Sequence, residues 1–316
     1  MSTRSPPRRI ASLLASGTEI LYGLGLGDHV VAVSHECDYP AEVAGKPRVT
    51  TSHVAAATSG RIDNQVRDML AGGQALYEID AAVLASLAPD LIVTQAQCDV
   101  CAVKYEDVMA LVRDEPALRG AQVVALNPMT LEDIFADILR VGDATATRPA
   151  AERYVAGLRA RVAALEAKTS ALAPHERPRI AAMEWIDPLM LAGNWMPELI
   201  RLAGGVQPLA RGGRHSTYND WQEVIAFDPQ MVLVMPCGFD LARAVDEAGT
   251  LAGLPGWHDL SAVRAGRVYA VDGNAYFNRS GPRIVDSLEL LAGLSHPDVF
   301  GWPVKMAEGL SVWQSL

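Results

Sequence analysis

A long helix predicted near the middle of the chain, over residues 148–173, constrains its fold more than any other feature. Thr147 can cap its start, and Pro149 falls in the first turn, where a missing N–H costs nothing. One face carries a stripe at three- and four-residue steps, made of Val155, Leu158, Val162, Leu165, Thr169 and Leu172. At 1.5 Å per residue, roughly 26 residues span about 39 Å. Such a length predicts a helix that braces two lobes with a cleft between them.

Strands and helices alternate on both sides of this helix, which predicts an α/β fold with two lobes and parallel-rich sheets. We place the first lobe at 9–146, the connecting helix at 147–174, the second lobe at 175–300 and a tail at 301–316. The tail is expected to be a terminal helix or a loose segment. Two stretches, Leu84–Cys98 and Val224–Cys237, share a helix end, a proline, a buried strand and a cysteine. They indicate a weak internal repeat.

The charge balance excludes several classes of partner. With 37 acidic and 27 basic residues, the formal net charge is −10. Nucleic acids and anionic membrane surfaces favour a basic face, so we expect neither as a partner. No apolar run of about 18 residues appears, which argues against membrane insertion. The first residues lead directly into a strand and helix pattern without a secretory signal, which predicts a cytoplasmic protein, or a periplasmic one if a signal has been removed.

Chemistry-bearing residues cluster after predicted strands, where ligands bind in open α/β sheets. All four cysteines lie in such loops: Cys37, Cys98, Cys101 and Cys237. The pair in CDVC has a spacing that suits a metal site or a redox dithiol, although two small residues filling a turn would look the same. His35 and Cys37 could complete a tetrahedral zinc site with that pair. Alternatively, His35 is a loop histidine bonded to the backbone.

Aromatic residues give a second signal. Many lie in predicted loops or at element ends, among them Tyr39, Trp185, Trp195, Tyr276 and Phe277. Such residues line clefts for flat, largely apolar ligands, or they pack the lobes. The chain contains no Walker loop, dinucleotide fingerprint, GxSxG or HExxH motif. A ligand-binding protein is therefore favoured over an enzyme.

Several blocks in order carry a family resemblance: ASGTEILYGLG, VAVSHECDYP, LASLAPDLIV, AGNWMPELIRLAGG and YFNRSGPRI. With the long helix, they resemble the cobalamin-binding, substrate-binding proteins of ABC importers, within a helical-backbone group that also binds iron–siderophores and haem. The resemblance implies two Rossmann-like lobes joined by one helix, as in class III periplasmic binding proteins, and an importer permease as partner if the protein is exported. By position, it also implies that Tyr39, Tyr276 and Phe277 contact a corrin ring. The chain differs from exported members in lacking a signal and in carrying the CDVCA motif.

Three hypotheses follow. In the first, the cleft binds cobalamin, another corrinoid or a related metal chelate, Trp185 and Trp195 join the aromatic contacts, and His35 or a cysteine approaches the metal. In the second, the cysteines and His35 hold zinc or an iron–sulfur cluster for redox or transfer chemistry. In the third, a siderophore receptor pairs ligand carboxylates with arginines, namely Arg279, Arg211 and Arg214. Surface solvation is the preferred interpretation for the last two.

Overall fold

The computed structural model describes residues 6–96, 102–303, 306–307, 310–311 and 313–316. The chain forms two compact units. The first comprises Met1–Ala56, Asn64–Pro128 and Glu132–Gly157, and the second comprises Ala57–Asp63, Met129–Leu131 and Leu158–Leu316. Each unit has its own sheet and its own core. The predicted α/β class with parallel-rich sheets is confirmed.

The first unit is built on a four-stranded parallel sheet. The strands of this part of the chain are β1 (Ile10–Ser12), β2 (Val30–Val33), β3 (Thr50–Ser52), β4 (Tyr77–Ile79), β5 (Leu91–Gln95) and β6 (Gln122–Leu126). The sheet has the order β2-β1-β5-β6, and β3 pairs with β4 in a separate antiparallel ribbon. Strand β5 is buried along its whole length, as expected for a strand covered on both faces.

Helices of the first half of the chain are α1 (Ala15–Gly23), α2 (Ser59–Ala71), α3 (Ala81–Leu87), α4 (Tyr105–Asp114), α5 (Leu131–Ala144) and α6 (Arg148–Thr169). Helix α1 begins at Ala15. Thr18, within this helix, donates from Oγ1 to Ser12 Oγ at 2.8 Å. The hydroxyl thus links the helix to the end of β1.

The predicted long helix exists as α6, and it begins at Arg148 as expected. Its predicted stripe is largely confirmed, with Val155, Leu158, Leu165 and Thr169 buried. The helix ends at Thr169 rather than at residue 173. The Thr169 carbonyl accepts a hydrogen bond from Arg177 Nη2 at 2.9 Å, and its hydroxyl donates to Leu202 O at 2.8 Å. The carbonyl and the hydroxyl of Thr169 therefore form hydrogen bonds with residues beyond the end of the helix.

The second unit contains a six-stranded sheet. Strands of the second half are β7 (Ile180–Trp185), β8 (Met190–Leu191), β9 (Thr217–Tyr218), β10 (Met231–Val234), β11 (Val268–Val271), β12 (Met306–Ala307), β13 (Leu310–Ser311) and β14 (Trp313–Ser315). The order is β14-β11-β10-β7-β8-β9. The three central strands β11, β10 and β7 are parallel, and the strands outside them pair antiparallel.

Helices of the second half are α7 (Met196–Leu202), α8 (Trp221–Phe227), α9 (Leu241–Ala248), α10 (Ser261–Arg264), α11 (Ile284–Ser295) and α12 (Pro297–Phe300). The core of the second unit lies under β7 and β10, where Met183, Val232 and Val234 pack with Trp257. No described helix has both the length and the apolar character needed to cross a bilayer.

The expectation that the tail is a terminal helix or a loose segment is wrong. Strand β14 pairs antiparallel with β11, and Leu316 donates its backbone N–H to Val268 O at 2.9 Å. The pairing places the end of the chain at one edge of the second unit's sheet. A three-residue strand leaves too little periodicity to be recognised from sequence.

Candidate functional site

Three loops of the second unit follow the parallel strands β7, β10 and β11 and therefore emerge at the same edge of the sheet. Hydrogen bonds join them. The Cys237 N–H donates to Glu184 O at 3.1 Å, and the Asn274 N–H donates to Phe239 O at 3.0 Å. Asn278 Nδ2 donates to Met235 O at 2.7 Å. The loops thus form one connected surface, which we call the strand-end surface.

Aromatic side chains pack beneath the strand-end surface. Trp185, the last residue of β7, contacts Phe239 edge-on, with ring centroids 5.6 Å apart and an interplanar angle of 69°. The Arg243 guanidinium lies 3.8 Å from the Phe239 ring centroid. Cation–aromatic and edge-to-face contacts hold such rings in defined orientations. Trp185 was predicted as a site residue, whereas Phe239 and Arg243 were not, because nothing in their local sequence marks this packing.

The loop after β11 carries three predicted site residues, and a fourth, Trp195, packs against it from the segment before α7. Phe277 is fully buried, and the carbonyl of this residue accepts a hydrogen bond from Trp195 Nε1 at 2.8 Å. Tyr276 and Arg279 are also buried. Arg279 Nη2 donates to Asn274 Oδ1 at 3.2 Å, and its backbone N–H donates to Tyr276 O at 2.7 Å. Trp195 thus supports this loop through its hydrogen bond, and the ligand contacts of these residues stay predictions.

Tyr276 has an environment that disfavours its charged form. Burial raises the pKa of the Tyr276 phenol, and the nearby Arg283 opposes this change. The Arg283 guanidinium lies 5.1 Å from the centroid of the Tyr276 ring. A neutral phenol retains an O–H donor and an apolar ring face, which suits contact with a largely apolar ligand.

Glu184 is a partly buried carboxyl beside the strand-end surface that is not among the predicted site residues. It precedes Trp185 on β7, and its Oε2 accepts a hydrogen bond from Ser216 Oγ at 2.5 Å. Burial raises the pKa of the Glu184 carboxyl, and the Ser216 hydroxyl partly offsets this effect. A carboxyl group within the apolar run IAAMEW is the sequence signal that could have identified this residue. Perturbed carboxyl groups of this kind concentrate at functional sites.

A second polar cluster of the same unit fixes the loop after β7. The Ser59 N–H donates to Glu247 Oε1 at 3.0 Å, and the Ser59 hydroxyl donates to the same oxygen. Ser59 Oγ accepts the Asp187 N–H at 3.1 Å. Arg243 Nη2 also donates to Ala57 O at 3.2 Å. Residues 57–63 are thereby tied to the strand-end surface of the second unit.

The first unit places His35 and Tyr39 in the loop after β2. His35 Nδ1 lies 2.7 Å from Thr50 Oγ1, and the imidazole ring lies 5.7 Å from the Tyr77 ring centroid. Burial, together with the charge of Arg48, lowers the pKa of His35. The neutral imidazole is thus favoured, and its Nδ1 is already hydrogen-bonded to Thr50. Tyr39 is half-buried, and its contact with a ligand stays a prediction.

The predicted cysteine cluster is only partly described. Cys37 is fully buried, and its sulfur lies 3.1 Å from Thr18 Oγ1. Cys237 is half-buried and belongs to the other unit. Cys98 and Cys101 lie outside the described residues. Within the ranges that the structure describes, no group of three or more His, Cys, Asp or Glu side chains is arranged to hold a metal ion. The proposed metal set therefore stays a prediction.

Two further features bear on the other hypotheses. Arg211 and Arg214 are exposed, in keeping with the preferred interpretation as solvated residues. The first unit also contains a cavity of about 240 Å³, with Leu76, Tyr77, Lys104 and Asp107 in its lining. None of the predicted site residues that the structure describes lines this cavity.

Residues 10–275 match the family described as periplasmic binding protein. The chain belongs to this family. An uncharacterized ABC transporter substrate-binding lipoprotein of Bacillus subtilis, YvrC, is 24% identical over 95% of this chain and 83% of its own length. A vitamin B12-binding protein of Vibrio cholerae is 24% identical over 90% and 87%. The haem-binding protein RhuT of Roseiflexus is 22% identical, with a TM-score of 0.66 over 92% of this chain and 99% of its own.

These comparisons confirm the resemblance and the coarse prediction of a solute-binding protein of the ABC transporter type. They do not favour the zinc or iron–sulfur hypothesis. The expected cytoplasmic location finds no support, because the family is periplasmic by description and the Bacillus relative is named a lipoprotein. The periplasmic alternative is the one that agrees with the family.

Proposed function

We propose that this protein is the solute-binding component of an ABC importer and that it binds a corrinoid or a related metal chelate. The observation that carries the proposal is the strand-end surface of the second unit, where three loops are joined by hydrogen bonds and backed by Trp185 and Phe239. Ligands of open α/β sheets bind at this edge. Aromatic rings beside polar groups suit a flat macrocycle with a polar rim.

The ligand class rests on family membership together with this surface. Relatives and structural neighbours are named for vitamin B12 and haem, which are both flat metal macrocycles. We propose Trp185 and Tyr276 as contacts in the second unit and Tyr39 as a contact in the first. Trp195, Phe277 and Arg279 hold the loop that presents Tyr276. We also propose that an importer permease is the protein partner.

A calorimetric titration of the purified protein tests this proposal. Hydroxocobalamin, ferric haem and a ferric siderophore are each titrated separately, and tryptophan fluorescence is followed in parallel. We expect one-to-one binding of at least one macrocycle with micromolar or tighter affinity. Quenching of tryptophan fluorescence is expected because Trp185 lies at the proposed site. Failure of all three ligands to bind would reject the proposed ligand class.

A further inference from the structure

The imidazole of His35, in the loop after β2, is held by the hydroxyl of Thr50. His35 Nδ1 lies 2.7 Å from Thr50 Oγ1. The same oxygen accepts the backbone N–H of His35 at 3.0 Å and donates its proton to Ser34 Oγ at 3.1 Å. A hydroxyl has one proton to donate and two lone pairs that accept. Because the proton and one lone pair are already used, the remaining lone pair of Thr50 accepts a proton from Nδ1.

This hydrogen bond fixes the tautomer of the imidazole. Burial and the nearby charge of Arg48 lower the pKa of His35, which favours the neutral form. With its proton on Nδ1, a neutral imidazole carries a lone pair on Nε2. Histidines that bind metals have this arrangement, in which one ring nitrogen binds the metal and the other donates to an oxygen of the protein. The Thr50 hydroxyl therefore prepares His35 Nε2 as a metal ligand.

The Nε2 atom of His35 is available to a bound molecule. Among the described residues it forms no hydrogen bond, and Glu36 Oε1 lies 3.9 Å away, beyond hydrogen-bonding distance. The side chain is 26% exposed, and Nε2 does not belong to the buried side-chain nitrogens and oxygens that lack a partner. An Nε2 without a hydrogen bond that lies outside this buried group is open to solvent. A ligand can therefore reach it.

Contacts on other sides keep the loop and the ring in one arrangement. Arg48 Nη1 donates to the carbonyls of Ser34 and His35 at 3.1 and 2.7 Å. The Tyr77 ring centroid lies 5.7 Å from that of the imidazole. The loop follows a strand of a parallel sheet, at the edge where ligands bind, and it also carries the proposed ligand contact Tyr39. A side chain that is already fixed loses little conformational entropy when it binds.

We propose that His35 Nε2 coordinates the metal of the bound chelate as an axial ligand, so that the protein selects macrocycles with an exchangeable axial position. This inference rests on the proposed function. Corrinoids and haem hold their metal through four equatorial nitrogens, whereas a hexadentate siderophore fills all six positions of iron. Imidazole is a ligand of haem iron and suits other transition metals. The Nε2 lone pair forms the bond to the metal, an axial water leaves to solvent, and the oxidation state does not change.

Ligands with and without an exchangeable axial position provide the test. Hydroxocobalamin has an axial water that an imidazole can replace, whereas cyanocobalamin carries cyanide at that position. Both ligands, and ferric haem with and without excess cyanide, are titrated by calorimetry and visible absorption against the wild type, His35→Gln and His53→Gln. His53 is an exposed histidine of the same unit whose Nε2 lies 3.4 Å from Glu78 Oε2. Its variant controls for the loss of one imidazole.

The wild type should shift the visible absorption bands of hydroxocobalamin or of cyanide-free haem, because an imidazole replaces the axial water. His35→Gln should abolish the shift and raise the Kd for that ligand at least tenfold, the smallest effect expected when a metal ligand loses a supporting partner. Its Kd for the cyanide-blocked form should stay at the wild-type value. His53→Gln should behave as the wild type.

Substitutions of Thr50 test the hydrogen bond that fixes the tautomer. Thr50→Val keeps the shape but loses the hydroxyl, so the Kd for the cyanide-free ligand should rise about tenfold. Thr50→Ser keeps the hydroxyl and should bind as the wild type does. Circular dichroism checks that each variant is folded. Equal affinities of folded Thr50→Val and Thr50→Ser would contradict the role of this hydrogen bond.

Four results would overturn the inference about His35. The first is an unchanged spectrum of every chelate that the wild type binds. The second is an equal loss of affinity of His35→Gln for the cyanide-blocked and cyanide-free forms, since the imidazole would then act through a hydrogen bond. The third is a wild type that binds a hexadentate ferric siderophore but no macrocycle. The proposed function survives all three, whereas a wild type that binds no chelate would overturn both.

Discussion

Trp185 connects the local packing of the second unit with the proposed ligand site. Its indole ends β7 and contacts Phe239. We predict that Trp185→Leu raises the Kd for the bound chelate by about three- to tenfold, the size of one aromatic contact. Trp302→Leu is the matched control, because Trp302 is 61% exposed outside the strand-end surface. Calorimetric titration measures both variants. Equal affinities of the two variants and the wild type for the chelate would show that Trp185 does not contact the ligand.

Asp137 makes stability depend on pH. Burial raises the pKa of this carboxyl to about 6, although Arg140 opposes the shift. Because the folded-state pKa lies above its usual value, the folded protein binds more protons between about pH 4 and pH 6. The free energy of unfolding should therefore fall as pH rises through this range, by up to about 3 kcal/mol from this group.

Urea denaturation at several pH values measures that dependence. Asp137→Asn cannot titrate, so we expect it to lose this part of the pH dependence. Asp143→Asn is the control, because Asp143 has an exposed side chain at the end of the same helix, α5. An Asp137→Asn variant with the same pH dependence as the wild type would contradict this account of the buried carboxyl.

The position of individual residues was predictable where a strand end is marked in the sequence. Trp185 ends β7, Cys237 follows β10, and both lie at the strand-end surface. By contrast, Cys37 is buried against Thr18, a residue of another element. Phe239 and Arg243 are recognised only through their mutual packing. Sequence spacing gives no measure of burial or of contacts between distant segments.

At the scale of elements, substitution of two glycines by alanine should change the free energy of unfolding in opposite directions. A Cβ at position 193 would meet Arg214 O at 2.5 Å and Ser216 N at 2.9 Å. Gly157 lies within α6, and a Cβ there would meet nothing within 4 Å. We predict that Gly193→Ala lowers the free energy of unfolding by about 1–3 kcal/mol through overpacking. Gly157→Ala should raise it by about 0.5–1 kcal/mol, because glycine destabilises a helix interior.

Urea denaturation of the two variants against the wild type gives both differences. A Gly193→Ala variant as stable as Gly157→Ala would show that the segment that carries Arg214 and Ser216 tolerates displacement.

Long elements were predictable, and short ones were not. Helix α6 begins at the predicted residue because Pro149 and the apolar stripe mark it. The buried strands β5 and β10 agree with the predicted hydrophobic runs. The ribbon of β3 and β4 was not predicted, and β14 falls within the predicted tail. Three-residue strands are defined by pairing with distant residues, which leaves little local signal.

At the scale of the whole molecule, two α/β units each carry strands whose carboxyl ends lead into chemistry-bearing loops. Membership of the periplasmic binding protein family gives this repeated architecture a role in solute binding. The order of sequence blocks was sufficient to predict the family and the fold. The order of blocks does not separate corrinoid, haem and siderophore as ligands, because the burial and contacts of individual side chains, such as those of Glu184 with Ser216, arise only on folding.

The central claim is that the ligand binds at the strand-end surface. Hydrogen exchange followed by mass spectrometry, with and without saturating hydroxocobalamin, tests it most directly. We predict slower amide exchange in residues 184–187, 237–239 and 274–279 of the second unit, and in 35–39 of the first. Protection confined to the cavity beside Leu76 and Lys104, or no protection at the strand-end loops under saturating ligand, would contradict the claim.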